Sequence, residues 1–134
     1  MKTKHYLTVE DCQKILAAAE AEARKNRWAV CIAIVDDGGH LLTFQRQDGC
    51  AIASVAFAQG KAKSAALRKR PTKSDEDMVN NGRTSALSMR GITFLEGGVP
   101  IVVEGETIGA VGVSGVKSVE DAQVAQAGIN ALLG

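Results

Sequence analysis

Few side chains in this sequence can bind a transition metal: two histidines, three cysteines and three methionines. His40 follows a Gly-Gly turn and opens a strand, which leaves it half exposed. A neutral imidazole there reads either as a surface turn residue or as a ligand to a metal or a haem iron. His5 sits in a polar, mobile terminus. Cys12, Cys31 and Cys50 are widely spaced, with no CxxC and no Cys/His cluster, so a structural zinc site is not expected and reduced thiols are. The methionines are far apart, and neither HExxH nor an acidic metal cluster occurs.

A second group of residues could bind an anion. Arg46 and Asp48 form a polar pair at a strand end. Lys61 lies between two apolar stripes of a helix, where a partly buried ammonium can hold a carboxylate. The backbone N–H groups of the Gly97-Gly98 turn could receive the same kind of group. Gly109, Gly112 and Gly115 fall in or just after a strand, which marks either a bulge or the close approach of another backbone or a ligand. None of these glycines precedes a helix, so no phosphate loop or dinucleotide fingerprint is formed. Ser114 lacks a matching His/Asp set, which disfavours a hydrolase triad. Lys61, Lys63, Arg68, Lys69, Arg70 and Lys73 spread around their helix as a solvated rim rather than a nucleic-acid patch.

These residues are positioned by a regular series of elements. Thr8 with Asp11 three residues on is a capping box, and Val9, Cys12, Leu16, Ala19 and Ala23 give the first helix one apolar face, ending near Asn26. Trp28 to Val35 reads as a strand apolar on both sides. Asp36-Asp37-Gly38-Gly39 turns the chain into a returning strand, His40 to Arg46. A helix from about Ile52 to Lys69 carries Val55, Ala58, Ala62, Ala65 and Ala66 on one side. Ala53, Phe57, Gly60, Ser64 and Leu67 lie on the other, so it must be sandwiched. Pro71 stops it. Lys73 to Met89 is helical with Ser74 as N-cap, and Asn80-Asn81-Gly82 is a break point. Gly97 to Val103 and Thr107 to Ser114 form a second hairpin, and Ser118 with Asp121 caps a last helix. Short turns make the sheet largely antiparallel. The expectation is an α+β layered fold, a sheet of about five strands covered by helices, in one domain over residues 1–134.

Composition fits that reading. In 134 residues, 46% are hydrophobic and 23% charged, which excludes a disordered chain. The longest apolar run is far below the roughly 20 residues that a membrane helix needs, and the polar N-terminus shows no signal peptide. Sixteen basic against fifteen acidic residues leave a net charge of +1, against general nucleic-acid binding. Aromatic residues are only 4%, so Ala, Val, Ile and Leu must build a core of closely packed backbones. A small domain of this kind gains from oligomerisation.

The ordered motifs Val35-Asp36-Asp37-Gly38-Gly39-His40-Leu41-Leu42, Arg46-Gln47-Asp48-Gly49, Lys61-Ala62-Lys63-Ser64-Ala65-Ala66, Gly97-Gly98-Val99-Pro100-Ile101 and Ile108 to Gly115, with Asp121 beyond, resemble the GlcG/HbpS family, which includes the C-terminal domain of PduO. The likeness spans about Leu7 to Leu133. It implies a profilin-like α+β fold and self-assembly, from dimers to octamers. It also implies binding of haem, in relatives linked to haem breakdown or redox sensing, while others are associated with glycolate or diol catabolism. Relatives that bind iron through a histidine of the first helix have no counterpart here, because Thr8 to Asn26 contains none.

Three functions follow as expectations, the last a non-catalytic assembly or sensor module that forms a stable oligomer without turnover or retained ligand. The first is a cytoplasmic, homo-oligomeric haem- or tetrapyrrole-binding protein. Its ligand would lie against the glycine-rich backbone of Gly97, Gly98, Ser114 and Gly115, with propionates near Lys61 or another basic group such as Arg46, and with His40 as the candidate iron ligand. The second is a small isomerase or lyase, or an accessory protein, acting on a carboxylated metabolite. There Arg46, Lys61 and the Gly97-Gly98 amides hold the carboxylate and Asp48 or Asp121 acts as base. None of them expects a nucleic-acid or membrane partner.

Overall fold

The computed structural model describes residues 1–134. Helix α1 (Val9–Lys25) leads into strands β1 (Cys31–Asp36) and β2 (Leu41–Arg46). Helices α2 (Ser54–Arg68) and α3 (Thr72–Asn80) and a 3-10 turn (Thr84–Ser88) come next. The hairpin β3 (Gly98–Val103) and β4 (Glu106–Ser114) and helix α4 (Ser118–Leu133) complete the chain. The strands form one antiparallel sheet in the order β2-β1-β4-β3. The α+β class is as expected, but the sheet has four strands rather than five.

Alternation along β1 divides the core. Ile32 and Ile34 face α1 and α4, together with Ile15, Val111, Val113, Val124 and Ile129. Cys31, Ala33 and Val35 face the opposite layer, which α2 covers with Ala58, Ala62, Ala65 and Ala66. The expectation of a strand apolar on both sides thus has its cause in cover on both faces.

The second layer works only because its residues are small. A Cβ added to Gly112 of β4 would lie 2.1 Å from the carbonyl oxygen of Ala58 and 2.4 Å from the nitrogen of Ala62. Alanine and glycine therefore let a helix backbone rest directly on a sheet backbone. The stripe on the far side of α2 leaves Phe57 and Leu67 exposed, while Ser64 accepts a hydrogen bond from the Thr93 N–H at 2.8 Å.

The capping box of α1 is formed as read, with Asp11 N–H donating to Thr8 Oγ1 at 3.2 Å and Thr8 N–H to Asp11 at 2.9 Å. The helix expected from Lys73 to Met89, with a break point at Asn80-Asn81-Gly82, is two pieces. It starts at Thr72, after Pro71 rather than at a Ser74 cap, and breaks at Asn81-Gly82, where Gly82 has φ 108°. Buried Asp75 fixes this segment by accepting from the guanidiniums of Arg68 and Arg70. Thr72 Oγ1 accepts from Gly98 N–H at 2.9 Å, tying α3 to β3.

Candidate functional site

The residues singled out in the sequence fall into three separate places. The first is interior. Lys61 is 3% exposed and Asp121 2% exposed. Lys61 Nζ donates to Asp121 at 3.1 Å and to the Val113 carbonyl at 2.9 Å. Asp121 also accepts from Val116 N–H at 3.1 Å, so it joins α2, β4 and the start of α4. Burial pushes the Asp121 carboxyl above the usual carboxylate range, and the Lys61 charge opposes that rise.

Gly97 and Gly98 belong to the same knot. A Cβ at Gly97 would lie 2.8 Å from Lys61 Nζ, and one at Gly98 would lie 2.2 Å from the Lys61 carbonyl oxygen. Ser114 is 6% exposed. The expected glycine wall is therefore closed by protein. The space beside Gly98 and Gly112 is filled by the α2 backbone, and a Cβ at Gly115 would meet the Ala29 carbonyl oxygen at 2.6 Å. Lys61 and Asp121 hold each other and are not presented to a ligand.

The second place is the β1–β2 turn. His40 Nδ1 stands 3.2 Å from Asp36 Oδ1, and its side chain is 81% exposed. The pair leaves Nε2 pointing away from its carboxylate partner, the orientation in which histidine ligates metals. Burial alone would raise the Asp36 carboxyl. The backbone N–H groups of His40 and Gly38 and the nearby imidazole outweigh it and hold the group below its usual range. His40 and Arg46 occupy opposite ends of β2, roughly 20 Å apart at the usual rise per residue, so they cannot share a small ligand.

The third place is an open cleft of about 520 Å³ at the Arg46 end of the sheet, lined by Glu20, Arg24, Arg27, Trp28, Ala29 and residues 45–48. Arg46 and Asp48 were legible as a pair; the α1 side was not. Its geometry comes from the end of α1. The Arg27 N–H donates to the Arg24 carbonyl at 3.0 Å and the Trp28 N–H to the Ala23 carbonyl at 2.9 Å, a Schellman ending. Arg27 occupies the left-handed position of that motif with φ 61°, where glycine is usual. A bulky cation kept at a glycine position is the local signal that could have pointed here. The motif swings Trp28 onto the core edge and Arg27 toward the β2 end.

The cleft is cationic with an aromatic wall. Arg24 pairs with Glu20 on the same helix, whereas Arg27, Arg46 and Asp48 make no ion pair. Arg46 Nη2 donates to the Cys50 carbonyl at 3.2 Å. Gln45 Oε1 is buried and has no hydrogen-bond partner. No group of three or more His, Cys, Asp or Glu side chains is arranged to hold a metal ion, and no helix is long and apolar enough to cross a membrane.

A single antiparallel sheet clad by helices on both faces, with a polar cleft at one end, defines a class of small α+β domain. Comparison with known proteins narrows it. Residues 7–130 match the family described as haem degrading protein HbpS-like, and the chain belongs to that family. It is 54% identical over 114 residues to Protein GlcG of Escherichia coli K12, covering 85% of each chain. Its fold matches the crystal structure of Klebsiella pneumoniae protein ORFY with TM-score 0.93 and 30% identity, covering 100% of this chain and 95% of that one. A PduOC–haem complex matches with TM-score 0.86 and 27% identity, covering 95% of each chain.

Proposed function

We propose that this protein binds a tetrapyrrole, haem foremost, in the cleft between the end of α1 and the end of β2. The observation that carries the reading is the pairing of two guanidiniums lacking ion-pair partners, Arg27 and Arg46, with the flat indole of Trp28. A tetrapyrrole is a flat apolar ring with a carboxylate edge. Guanidiniums match carboxylates in charge and shape, the indole offers a stacking face, and the volume lies in the range of small-molecule sites. Asp48 is the oxygen donor available to an iron. Bound haem would supply the redox-active iron for haem breakdown or redox sensing. The family assignment and the haem complex of a relative support the same ligand.

We place this activity in a homo-oligomer in the cytoplasm. Exposed Phe57 and Leu67 on the outer stripe of α2 support self-association. A second reading puts the iron on His40, favoured by the Asp36 carboxylate behind its Nδ1. The carboxylated-metabolite reading retains only Arg46 and Asp48, because Lys61, Asp121 and the glycine turn are interior.

Titration with haemin tests the proposal. The wild type is expected to show a saturable Soret shift. Arg46→Glu and Arg27→Gly should each weaken binding at least about tenfold, since one charge-assisted hydrogen bond is worth about 1.5–3 kcal/mol. Arg27→Gly should simultaneously stabilise the fold by about 1 kcal/mol, because glycine relieves the left-handed backbone. His40→Ala should bind haemin as the wild type does. Loss of the shift in His40→Ala alone would move the site to the β1–β2 turn, and no saturable shift in any form would remove haem.

A further inference from the structure

Beside the cleft, on the α2 side of the sheet, lies a pair of thiols that its binding role does not use. Cys31 opens β1 and Cys50 follows β2, and their sulfurs stand 3.4 Å apart, in contact and unbonded. Cys31 is 0% and Cys50 4% exposed. The third cysteine, Cys12, packs in the other core layer, on the α1 side of the sheet.

We propose that Cys31 and Cys50 are an oxidisable dithiol, a covalent modification site whose closure alters the neighbouring cleft. A disulfide needs sulfurs about 2.05 Å apart, so the pair must close by about 1.4 Å from the contact it already makes. The two cysteines lie on different segments that meet only in the fold. Cys50 ends the turn Gln47–Cys50, where its N–H donates to the Gln47 carbonyl at 3.1 Å. The closing movement falls to that turn, since Cys31 is paired with both β2 and β4.

The chemistry balances with a hydroperoxide as oxidant. The Cys50 thiol attacks the peroxide, the O–O bond breaks, and a sulfenic acid and one water (or alcohol) form. The Cys31 thiol then displaces the hydroxyl of that sulfenic acid, giving the S–S bond and a second water. Two electrons pass from the two sulfurs to the peroxide. Burial first, and the neighbouring Cys50 next, push the Cys31 thiol up to about 12. The attack falls to Cys50, on the turn and the more exposed of the two, and the resolving role to Cys31, fully buried between β2 and β4.

The coupling to the cleft runs through one hydrogen bond. Arg46 Nη2 holds the Cys50 carbonyl, and Gln47 is fastened just ahead of β1 by its side chain, which accepts from Val30 N–H at 2.9 Å. Drawing Cys50 toward Cys31 shifts the carbonyl that positions Arg46. This half of the inference rests on the proposed haem site; the formation of the bond does not.

The test is thiol counting on the folded protein after treatment with hydrogen peroxide, by alkylation under denaturing conditions and intact mass. Alkylatable thiols should fall from three to one, with a peptide joining Cys31 to Cys50, and dithiothreitol should restore all three. Cys31→Ala and Cys50→Ser should each form no intramolecular bond. Three remaining thiols in the wild type, or a bond through Cys12, would overturn the site. Haemin affinity should differ at least threefold between oxidised and reduced wild type and not between treated and untreated Cys31→Ala. A disulfide with unchanged affinity would overturn the coupling alone. A disulfide in a protein that binds no haemin in either state would instead sink the haem reading and leave the dithiol standing.

Discussion

Replacing Lys61 with methionine should cost about 3–5 kcal/mol at neutral pH, the loss expected when one partner of a buried ion pair is removed. Methionine fills most of the space of the lysine stem. The loss therefore comes from Asp121, left 2% exposed with a charge and only the Val116 N–H to hold it, and from the Val113 carbonyl losing its donor. The pH dependence identifies the cause. Asp121 already titrates above its ordinary 3.8 because of burial, with Lys61 opposing the rise. Without Lys61 the folded value climbs further. A carboxyl whose folded value exceeds its unfolded value favours the folded state most below both. That advantage disappears as pH rises from the unfolded value through the folded one. The Lys61→Met deficit should therefore shrink on acidification to about pH 5. Adding Asp121→Leu should recover most of the stability at pH 7, since an apolar pair can replace a buried ion pair. Urea melts of the three variants measure all of this. A deficit that is small, or that deepens toward acid, would mean the ammonium is not held by Asp121.

Alanine at Gly112 should be nearly as damaging, with a loss of at least about 3 kcal/mol, at the upper end of overpacking costs. Its Cβ would sit 2.1 Å from a backbone oxygen of α2, and backbone cannot rotate aside as a side chain can. The helix must lift from the sheet, which opens the alanine layer from Ala58 to Ala66. The urea midpoint should fall with little change in slope. A loss below about 1 kcal/mol would contradict the direct seating of α2 on β4.

These two residues show what the sequence carries and what it withholds. The position of Lys61 between two apolar stripes made partial burial readable from the helix period; that it is only 3% exposed was not. Its partner was not readable, because Asp121 lies sixty residues away and joins it only when α4 starts beside β4. Glycines inside a strand announced the close approach of something. Whether that was a ligand or a helix backbone depends on which element crosses the strand, a property of topology. The α1 capping box, both hairpins and the break at Asn81-Gly82 are local and were legible. The cleft was half legible. Arg46 and Asp48 are neighbours in sequence, but Arg27 and Trp28 reach them only through a left-handed turn that glycine usually makes and arginine makes here.

The central claim is where a flat anionic ring sits. The most direct measurement is a titration of the isotopically labelled protein with diamagnetic gallium protoporphyrin, followed by amide chemical shifts. The account predicts saturable shifts concentrated on residues 24–29 and 45–50, around Arg27, Trp28 and Arg46. Shifts centred on His40, Leu41 and Lys63, or no saturable shifts at all, would contradict it.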